Sequence, residues 1–396
     1  MKKILVVSQY YYPEQFSITH ICEELVKKGY KVSVVTGNPN YPMGEIYDGY
    51  DNTYREECIN GVQIIRVPIT PRKRGMIRNY YSYAKNAAKK IKSLEKDFDV
   101  ILVYEVSPIT QVIPALVYKR RVTKDSKLVI YCQDIWPEVL IGTGFSEKSI
   151  IYKVGFAISK KLYKSADQIL ITSKLFAKYL WDEFRIDSSI IQYLPSYGNN
   201  WVLSIDNIKP NDNKIHLVFA GNMGKGQNLD LLIEAVSQLE SKDNLVIDMV
   251  GDGSEYENLV NQTKRLGLES VVIFHGRKSG KELEHFYCIA DAFLILLRNK
   301  GRLNYTVPAK LQGYMGAGKP ILACIEGGAK DIIEEAECGI VAENNDSESF
   351  ARVIDTFVEN SCNYVDMGMN GRRYFQNNYT EEIYFSRLCN FLDNLE

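Results

Sequence analysis

Lys310 is the first candidate for chemistry, because it lies where a short loop is predicted to open a helix. The run TVPAKLQGYMGAGKP occupies residues 306–320, with the helix ending at Gly316 or Gly318 and a strand beginning at Pro320. The first turn of a helix offers free N–H groups and a positive dipole end, so it attracts phosphate. A lysine there adds a mobile charge. The pattern suits a nucleotide diphosphate, although an ordinary strand–loop–helix connection with a surface lysine fits it equally well.

A glycine-rich turn near the middle of the chain is the second candidate. Residues 221–228 read GNMGKGQN, after a predicted strand and before a helix predicted over 230–239. Glycines such as Gly221 and Gly224 let the backbone approach a ligand closely, and the helix start again offers N–H groups. Lys225 is placed to contact a phosphate. A turn that binds nothing is the alternative.

Three further turns follow predicted strands and could line the same ligand. Gly251 begins a Gly-Asp-Gly turn, and Arg277 comes two residues after His275, near a strand end. Gly328 and Asp331 belong to the opening of another predicted helix, where Asp331 could accept a hydrogen bond from a hydroxyl group of the ligand. A purely structural turn is the alternative for the first two.

These turns connect strands and helices that alternate along the whole chain. The alternation indicates parallel sheets with helices on both faces, and such sheets bind ligands at the carboxyl ends of their strands. A length of 396 residues favours two domains, with a loop-rich boundary near 195–210. The strands are predicted at 4–7, 31–36, 64–67, 100–104, 128–131, 168–172, 216–220, 245–250, 271–274, 292–297, 320–324 and 339–341.

The composition excludes several classes of protein. A formal net charge of −1 argues against a dedicated nucleic-acid binder. Eight cysteines with no Cys-x-x-Cys pair favour buried, reduced thiols in a cytoplasmic protein. No apolar run approaches the roughly 18 residues that span a bilayer, so we expect any membrane association to be peripheral.

Five motifs in order along the chain resemble those of family 4 of the retaining glycosyltransferases. They read YYYPE at 10–14, QDIWPE at 133–138, AGNMG at 220–224, VGDG at 250–253 and PAKLQGYMGAGKPI at 308–321. The likeness extends over nearly the whole chain and is to the branch that makes bacterial capsule and O-antigen. It implies an α/β protein of the GT-B fold, in which two Rossmann-like domains face each other across a cleft.

The resemblance also implies that the two domains bind different substrates. Residues 1–200 are expected to bind the acceptor, residues 201–379 the nucleotide sugar, and the helix 380–396 to pack back on the first domain. The catalytic residues implied are Asp134, Lys225 and Lys310. The donor-binding residues implied are Gly221, Asn222, Gly224, Gln227, Gly251, Arg277, Thr306, Val307, Pro308, Ala309, Gln312, Gly328 and Asp331.

The chain departs from the family pattern on the donor side. Relatives commonly carry an Arg and a Lys to grip the diphosphate, where this sequence has Asn222 and Gln227. Many relatives also carry two Glu residues eight positions apart in the donor loop, where this sequence has Tyr305 and Gly313. We therefore expect Gln312 or another group to hold the ribose.

On the acceptor side the resemblance points to Tyr12, Glu105, Gln133 and Asp134. Gln133 replaces a common His, so the usual general base is absent. Retaining enzymes of this fold are thought to use the donor phosphate to take the acceptor proton, and this tolerates the loss. Asp134 could then orient the acceptor or the sugar, or it could cap a helix that begins at Trp136.

Two remaining features concern metal and membrane. Asp97-Phe98-Asp99 matches a metal motif of the other glycosyltransferase fold, but it precedes a strand, so we predict no metal and no cofactor beyond the sugar nucleotide. The basic, tyrosine-rich segment 72–92, in a helix predicted over 75–96, suits an anionic membrane surface through Tyr80, Tyr81, Tyr83 and its lysines and arginines. A solvated helix face is the alternative.

The sequence therefore predicts a retaining, metal-independent transferase. It would move a sugar, such as the N-acetyl-hexosamine of a UDP-sugar or its deoxy form, to a lipid-linked saccharide at the inner face of the plasma membrane. A UDP-sugar 2-epimerase of the same fold and an inactive partner subunit are the alternatives.

Overall fold

The computed structural model describes residues 1–142, 144–206, 208, 210, 212–299 and 301–395, which form two compact units. The first unit contains Met1–Leu194 and Arg387–Glu396, and the second contains Pro195–Ser386. Each unit is built on one mainly parallel sheet with helices between its strands.

The first unit has an eight-stranded sheet in the order β3-β4-β2-β1-β5-β6-β7-β8. All neighbouring strands are parallel except β3 and β4, which form an antiparallel hairpin. The strands are β1 Lys3–Val7, β2 Lys31–Gly37, β3 Arg55–Ile59, β4 Val62–Val67, β5 Val100–Glu105, β6 Lys127–Cys132, β7 Gln168–Ile171 and β8 Ile191–Tyr193.

Two edge strands correct the sequence prediction, which had neither β3 nor β8. The β3–β4 hairpin turns at Asn60 and Gly61, which both have positive φ, as a type I′ turn requires. The Asn-Gly pair in the sequence indicates a hairpin turn. Strand β3 itself is hard to predict, because most of its residues are exposed and it has no apolar face.

Helices of the first unit lie on both faces of its sheet. Right-handed crossovers put α1 on one face and α2, α3, α5 and α6 on the other, because their connections run in opposite directions along the sheet. The helix predicted over 75–96 is shorter: α2 ends at Lys90 and a 3-10 turn follows at Ile91–Ser93. The helices are α1 Ser17–Lys27, α2 Met76–Lys90, α3 Val112–Arg121, α4 Val139–Gly142, α5 Ile150–Tyr163 and α6 Lys174–Phe184.

The second unit has a six-stranded, fully parallel sheet in the order β11-β10-β9-β12-β13-β14. Its central strands are buried along their whole length, as in β10 and β12, so a core packs on each face. The strands are β9 Ile215–Ala220, β10 Leu245–Val250, β11 Val272–Gly276, β12 Ala292–Leu296, β13 Ile321–Cys324 and β14 Gly339–Val341.

The helix that follows the donor-loop motif ends where the glycines allow. It runs from Lys310 to Ala317, and Gly318 takes the left-handed conformation with φ 73° beyond it. The helices of this part of the chain are α7 Leu229–Gln238, α8 Tyr256–Arg265, α9 Lys281–Ile289, α10 Lys310–Ala317, α11 Gly328–Glu335, α12 Ser347–Asn360, α13 Val365–Asn378 and α14 Glu381–Asp393. Among the described residues, none of the helices has the length and apolar character needed to cross a membrane.

Candidate functional site

The carboxyl edge of the second sheet is held together by backbone hydrogen bonds between its loops. Gly221 N donates to Val250 O at 2.9 Å, and Met223 N donates to Asp252 O at 2.8 Å. One strand further, Gly251 N donates to Gly276 O at 2.9 Å. The loops after β9, β10 and β11 therefore form one connected rim, where open α/β sheets bind ligands.

Glycines make this close approach possible. Gly251 has φ +143°, and a Cβ there would clash with the carbonyl oxygen of Gly221. A Cβ at Gly253 would lie 2.5 Å from the carbonyl oxygen of Met223. The Gly-Asp-Gly turn predicted to line a nucleotide is thus required by the packing of two loops.

A cavity of about 490 Å³ opens at this rim. Four residues predicted to bind the donor line it: Gly221, Asn222, Gly251 and Arg277. The remaining lining residues are Ala220, Val250, Asp252, Gly253, Lys278, Leu283 and Tyr287. The cavity is lined by glycine backbone, by apolar side chains and by the charged residues Arg277, Lys278 and Asp252, with Lys278 also paired with Glu282. The excess of basic over acidic groups in the lining suits an anionic ligand.

Lys310 lies beside the rim, at the start of α10. Its Nζ donates to Gln227 Oε1 at 2.6 Å and sits 3.9 Å from the ring centre of Phe219. A Cβ at Gly221 would lie 3.2 Å from the same Nζ, so the ammonium adjoins the first glycine of the cavity. The structure therefore brings together Lys310, Gln227 and Gly221, which the sequence assigned separately to the donor.

Burial lowers the pKa of Lys310 to about 7. Among the described residues, no carboxylate pairs with this lysine: the partners of Nζ are a neutral amide and an aromatic face. A desolvated cation without an anion costs free energy that a bound anion can recover. This lysine is thus arranged to receive negative charge from a ligand.

The glycine-rich turn is held by a residue that the sequence reading missed. Arg298, just after β12, donates Nη2 to both carboxylate oxygens of Asp230 at 2.6 and 2.8 Å. Its backbone N donates to Gly226 O at 2.8 Å, and its Nε to Lys225 O at 3.3 Å. Lys225 itself is exposed in the 3-10 turn Lys225–Gln227, and Gly224 precedes that turn.

The loop before α10 is positioned by a tyrosine and by contact with the next loop. Tyr314 Oη accepts from Ala220 N at 2.9 Å and lies 3.0 Å from Ala220 O, which fastens α10 to the end of β9. A Cβ at Gly327 would clash with Asn304 O, so the loops after β12 and β13 also touch. Of the remaining predicted residues, Thr306, Val307, Pro308 and Ala309 lie in the loop, and Gly328 and Asp331 in the first turn of α11.

The position of Gln312 differs from the expectation that it holds a ribose. Gln312 is 4% exposed and lies on the buried side of α10. A Cβ added at Gly198 would lie 3.2 Å from the Cβ of Gln312, which shows how closely the chain packs against this side. The residues lining the cavity do not include it. At Gly313, where relatives carry Glu, a Cβ would lie 3.2 Å from the Oη of Tyr287. Tyr287 is therefore a candidate for the ribose that no short motif revealed.

In the first unit, a hydrogen-bond chain orients Asp134 just after β6. Trp136 Nε1 donates to Ser107 Oγ at 3.0 Å, and Ser107 Oγ donates to Asp134 Oδ2 at 3.0 Å. Burial raises the pKa of Asp134, and the Ser107 hydrogen bond opposes that rise. The helix-cap alternative does not describe this residue, because its carboxylate binds Ser107 and α4 begins only at Val139.

Glu105, at the end of β5, is fully buried beside this chain. Its Oε2 accepts from Tyr163 Oη at 3.2 Å, while Oε1 has no hydrogen-bond partner among the described residues. Burial first, and then the charge of Asp134, raise its pKa well above the usual value. The surroundings of Glu105 therefore favour its neutral form.

Other buried polar atoms at the same edge also lack partners within the described part of the chain. They include Gln133 Nε2 and Thr110 Oγ1. Gln9 and Gln111 are joined by a hydrogen bond of 3.0 Å from Gln9 N to Gln111 Oε1, yet Gln9 Oε1 and Gln111 Nε2 are unsatisfied. An edge with so many unused donors and acceptors can bind a ligand rich in hydroxyl groups.

Tyr12 and the loop around it are held in place by hydrogen bonds with buried side chains. Tyr12 is 44% exposed, and its carbonyl oxygen accepts from Nη2 of the buried Arg66 at 2.6 Å. Glu14 Oε1 accepts from Asn40 N at 2.8 Å and Tyr41 N at 2.7 Å, which joins the loops after β1 and β2. Burial raises the pKa of Glu14 to about 7.

The Asp97-Phe98-Asp99 motif lies away from the carboxyl edge of the first sheet, and the segment 72–92 is partly buried. Asp97 and Asp99 sit at the amino end of β5 and both bind Lys3, through Nζ and N respectively. In the segment 72–92, Tyr83 is fully buried and donates to Val35 O at 2.9 Å, which corrects its assignment as a membrane anchor. Tyr80 packs against Trp136, and of the three tyrosines Tyr81 alone is largely exposed, at 66%.

Comparison with known proteins shows where this architecture occurs. Residues 15–196 match the model of Glycosyltransferase Family 4, and residues 204–374 match that of Glycosyl transferases group 1. Anabaena HepE, whose crystal structure contains UDP, superposes with a TM-score of 0.72 at 14% identity, covering 100% of both chains. The two sheets are thus the two Rossmann-like halves of a GT-B glycosyltransferase.

Curated relatives agree with this class. The probable glycosyltransferase WbjE of Pseudomonas aeruginosa is 27% identical over 275 residues, 65% of this chain and 66% of its own length. The putative colanic acid biosynthesis glycosyl transferase WcaI of Escherichia coli is 20% identical over 336 residues, 80% of this chain and 81% of its own length. This chain belongs to the family 4 glycosyltransferases.

Proposed function

We propose that this enzyme transfers a sugar from a UDP-sugar to an acceptor hydroxyl in the synthesis of a surface polysaccharide. The observation that carries the proposal is Lys310, a desolvated lysine at the edge of a cavity that has no anionic partner in the described part of the chain. A diphosphate is the ligand that best fits a lysine, a helix start and a glycine rim together. HepE with UDP and WcaI with its colanic acid role support the donor and the process.

The second unit supplies most of the catalytic effect in this proposal. Lys310 and the backbone N–H groups at the start of α10 stabilise the UDP leaving group as its charge develops, without a metal ion. The bond from the sugar C1 to the phosphate oxygen breaks, and the acceptor oxygen bonds to C1 on the same face. The acceptor proton passes to the departing phosphate, so the configuration is retained and no protein base is needed.

The first unit holds the acceptor in this proposal. Asp134, oriented by Ser107, accepts a hydrogen bond from an acceptor or sugar hydroxyl, and the unsatisfied groups around Gln111 and Gln133 bind others. We propose a lipid-linked saccharide at the inner face of the plasma membrane. The outward face of α2, with Arg78 and Lys85, and the exposed Arg74 just before this helix would approach the bilayer.

The test is UDP release in the presence and absence of acceptor, with a panel of UDP-sugars that includes UDP-N-acetyl-hexosamines. Acceptor-dependent release with a product of unchanged anomeric configuration by NMR, undiminished by EDTA, supports sugar transfer with retention and without a metal ion. Release with conversion of the free sugar and no transfer indicates the epimerase. Binding of UDP with no turnover on any acceptor indicates an inactive subunit, and activity lost to EDTA and restored by manganese contradicts metal independence.

A further inference from the structure

Helix α5 of the first unit presents an apolar stripe to solvent. Ser149 caps the helix by accepting from Tyr152 N at 3.2 Å, so the position of its first turn is set by a defined contact. Ile150 is 79% exposed, Ile151 42% and Val154 52%. Ile150, Val154 and Ile158 are spaced four apart and lie on one face, because residues i and i+4 are neighbours on a helix.

The stripe leads into a groove between α5 and α3. The groove has a volume of about 430 Å³, and its walls are apolar: Ile113, Leu116, Val117, Ile158 and Leu162. Its remaining lining residues are all basic, namely Arg120, Arg121 and Lys161. One surface thus combines an apolar stripe, an apolar groove and a basic cluster, and we call it the α3–α5 surface.

The charge of this surface is of one sign. Residues 106–124 and 148–166 contain nine Lys and Arg residues and no Asp or Glu. Lys119 is paired with Asp167, whereas Arg120, Arg121 and Lys161 have no carboxylate partner within the described ranges. Unpaired basic groups at the end of an exposed apolar stripe are complementary to an anionic amphiphile.

The segment 72–92, which the sequence predicts to face a membrane, has less free charge than its composition indicates. Lys73 is paired with Glu45 and Lys90 with Glu56, each at 2.7 Å. Arg72 is half-buried, where its guanidinium contacts Tyr10 Oη at 3.3 Å and lies over the ring of Tyr41. Compared with the segment 72–92, the α3–α5 surface has fewer basic groups paired with carboxylates among the described residues. It also has more apolar side chains.

We propose that the α3–α5 surface binds anionic lipid in a bilayer. Arg120, Arg121 and Lys161 contact the lipid phosphates, and Ile150, Ile151 and Val154 enter the boundary between headgroups and acyl chains. The lysines that flank the stripe, Lys153, Lys160 and Lys164, extend their apolar stems along it and keep their charges at the headgroups. This is a binding site separate from the donor cavity and from α2.

The experiment is co-sedimentation with vesicles of phosphatidylcholine, with or without phosphatidylglycerol, in the absence of sugar nucleotide and acceptor. The result therefore does not depend on the proposed transferase activity. Arg120→Glu with Arg121→Glu should weaken binding to the mixed vesicles by about tenfold or more, because basic groups near an anionic surface attract it and the introduced carboxylates repel it. Ile150→Ser with Val154→Ser should weaken it by about tenfold as well, through lost apolar burial.

Two controls complete the design. Val365→Ser changes an exposed valine of the second unit and should leave binding unchanged. Arg74→Glu with Arg78→Glu in the segment 72–92 should weaken binding less than the α3 pair does. Thermal unfolding confirms that each variant is folded. The proposal is overturned if α3 and α5 variants bind like the wild type, if pure phosphatidylcholine binds as well as the anionic mixture, or if the Ile150 and Val154 changes alter only self-association.

Discussion

The carboxyl edges of the two sheets are built in different ways. In the second unit, loops pack backbone against backbone, and Gly251 and Gly253 are required for their approach. In the first unit, the same edge is made of side chains: Glu105 is fully buried near the half-buried Asp134, and the amide nitrogens of Gln111 and Gln133 have no hydrogen-bond partner among the described residues. The edge of the second unit is therefore a backbone rim beside the desolvated Lys310. The edge of the first unit presents polar side chains whose hydrogen-bonding capacity is not filled by the described residues.

The difference agrees with the ligands proposed for each unit. A diphosphate is the same in every sugar nucleotide, so a rim of fixed N–H groups and one cation can serve all of them. Acceptors differ in their hydroxyl groups, which side chains can distinguish. Each unsatisfied buried group costs about 1–3 kcal/mol, and an acceptor hydroxyl that pairs with it removes that cost. We therefore expect changes in the two units to affect binding and turnover differently.

The largest effect is expected at Gly251. Gly251→Ala puts a Cβ against the Gly221 carbonyl oxygen at φ +143°, so the loops after β9 and β10 must separate. We expect loss of measurable UDP binding and a fall of several kcal/mol, about 3 or more, in the free energy of unfolding. Gly226→Ala is the matched control, because nothing lies within 4 Å of its added Cβ. Equal behaviour of the two variants in calorimetry and denaturation would contradict the fixed rim.

Lys310→Met should separate catalysis from stability. Turnover is expected to fall by about two orders of magnitude, since a group that stabilises developing charge is lost. Stability should not fall, because the change removes a desolvated ammonium. Lys225→Met is the comparison: its side chain is exposed, so a loss below about tenfold is expected. Steady-state kinetics and denaturation measure both, and a Lys310 variant with near wild-type turnover removes this residue from the mechanism.

Ser107→Ala tests the first unit alone. Removal of its hydrogen bond raises the pKa of Asp134 further, so the carboxylate is ionised only at higher pH. We expect turnover about tenfold lower at neutral pH, an acidic limb of the pH–rate profile moved upward, and unchanged UDP affinity. Asp134→Asn should be at least as slow and lose that limb. A Ser107 variant that weakens UDP binding instead would contradict the assignment of donor binding to the second unit alone.

The smallest effect is expected from Tyr287→Phe. If the Tyr287 hydroxyl holds a ribose hydroxyl, the loss of one hydrogen bond weakens UDP binding by about fivefold. Uridine should be affected as much as UDP, whereas Lys310→Met should affect UDP far more than uridine. Tyr256→Phe, which lies outside the cavity lining, is the control for calorimetric titration. Unchanged affinity in both variants would mean that another group holds the ribose.

Sequence patterns predicted the parallel α/β units and the position of Lys310, because short apolar strands and glycine turns are local signals. They missed Tyr287, Arg298 and the Ser107–Asp134 chain, whose members are brought together only by tertiary contacts. Local reading also misassigned Tyr83: helix α2 looks uniformly basic and aromatic, but the face that packs on the sheet includes this tyrosine. Which face is inward depends on the neighbouring elements.

The central claim is that desolvation disfavours the charged form of Lys310 until a diphosphate binds beside it, and proton uptake on UDP binding tests this most directly. In the free enzyme its pKa is about 7, so at about pH 8 most molecules have a neutral amine, and a bound diphosphate must raise that pKa. UDP phosphate is already ionised there, since its own pKa is about 6. Titration calorimetry in two buffers should show uptake of nearly one proton at about pH 8, an affinity that falls as pH rises above about 7, and neither effect in Lys310→Met. No proton uptake and a pH-independent affinity in the wild type would contradict the account.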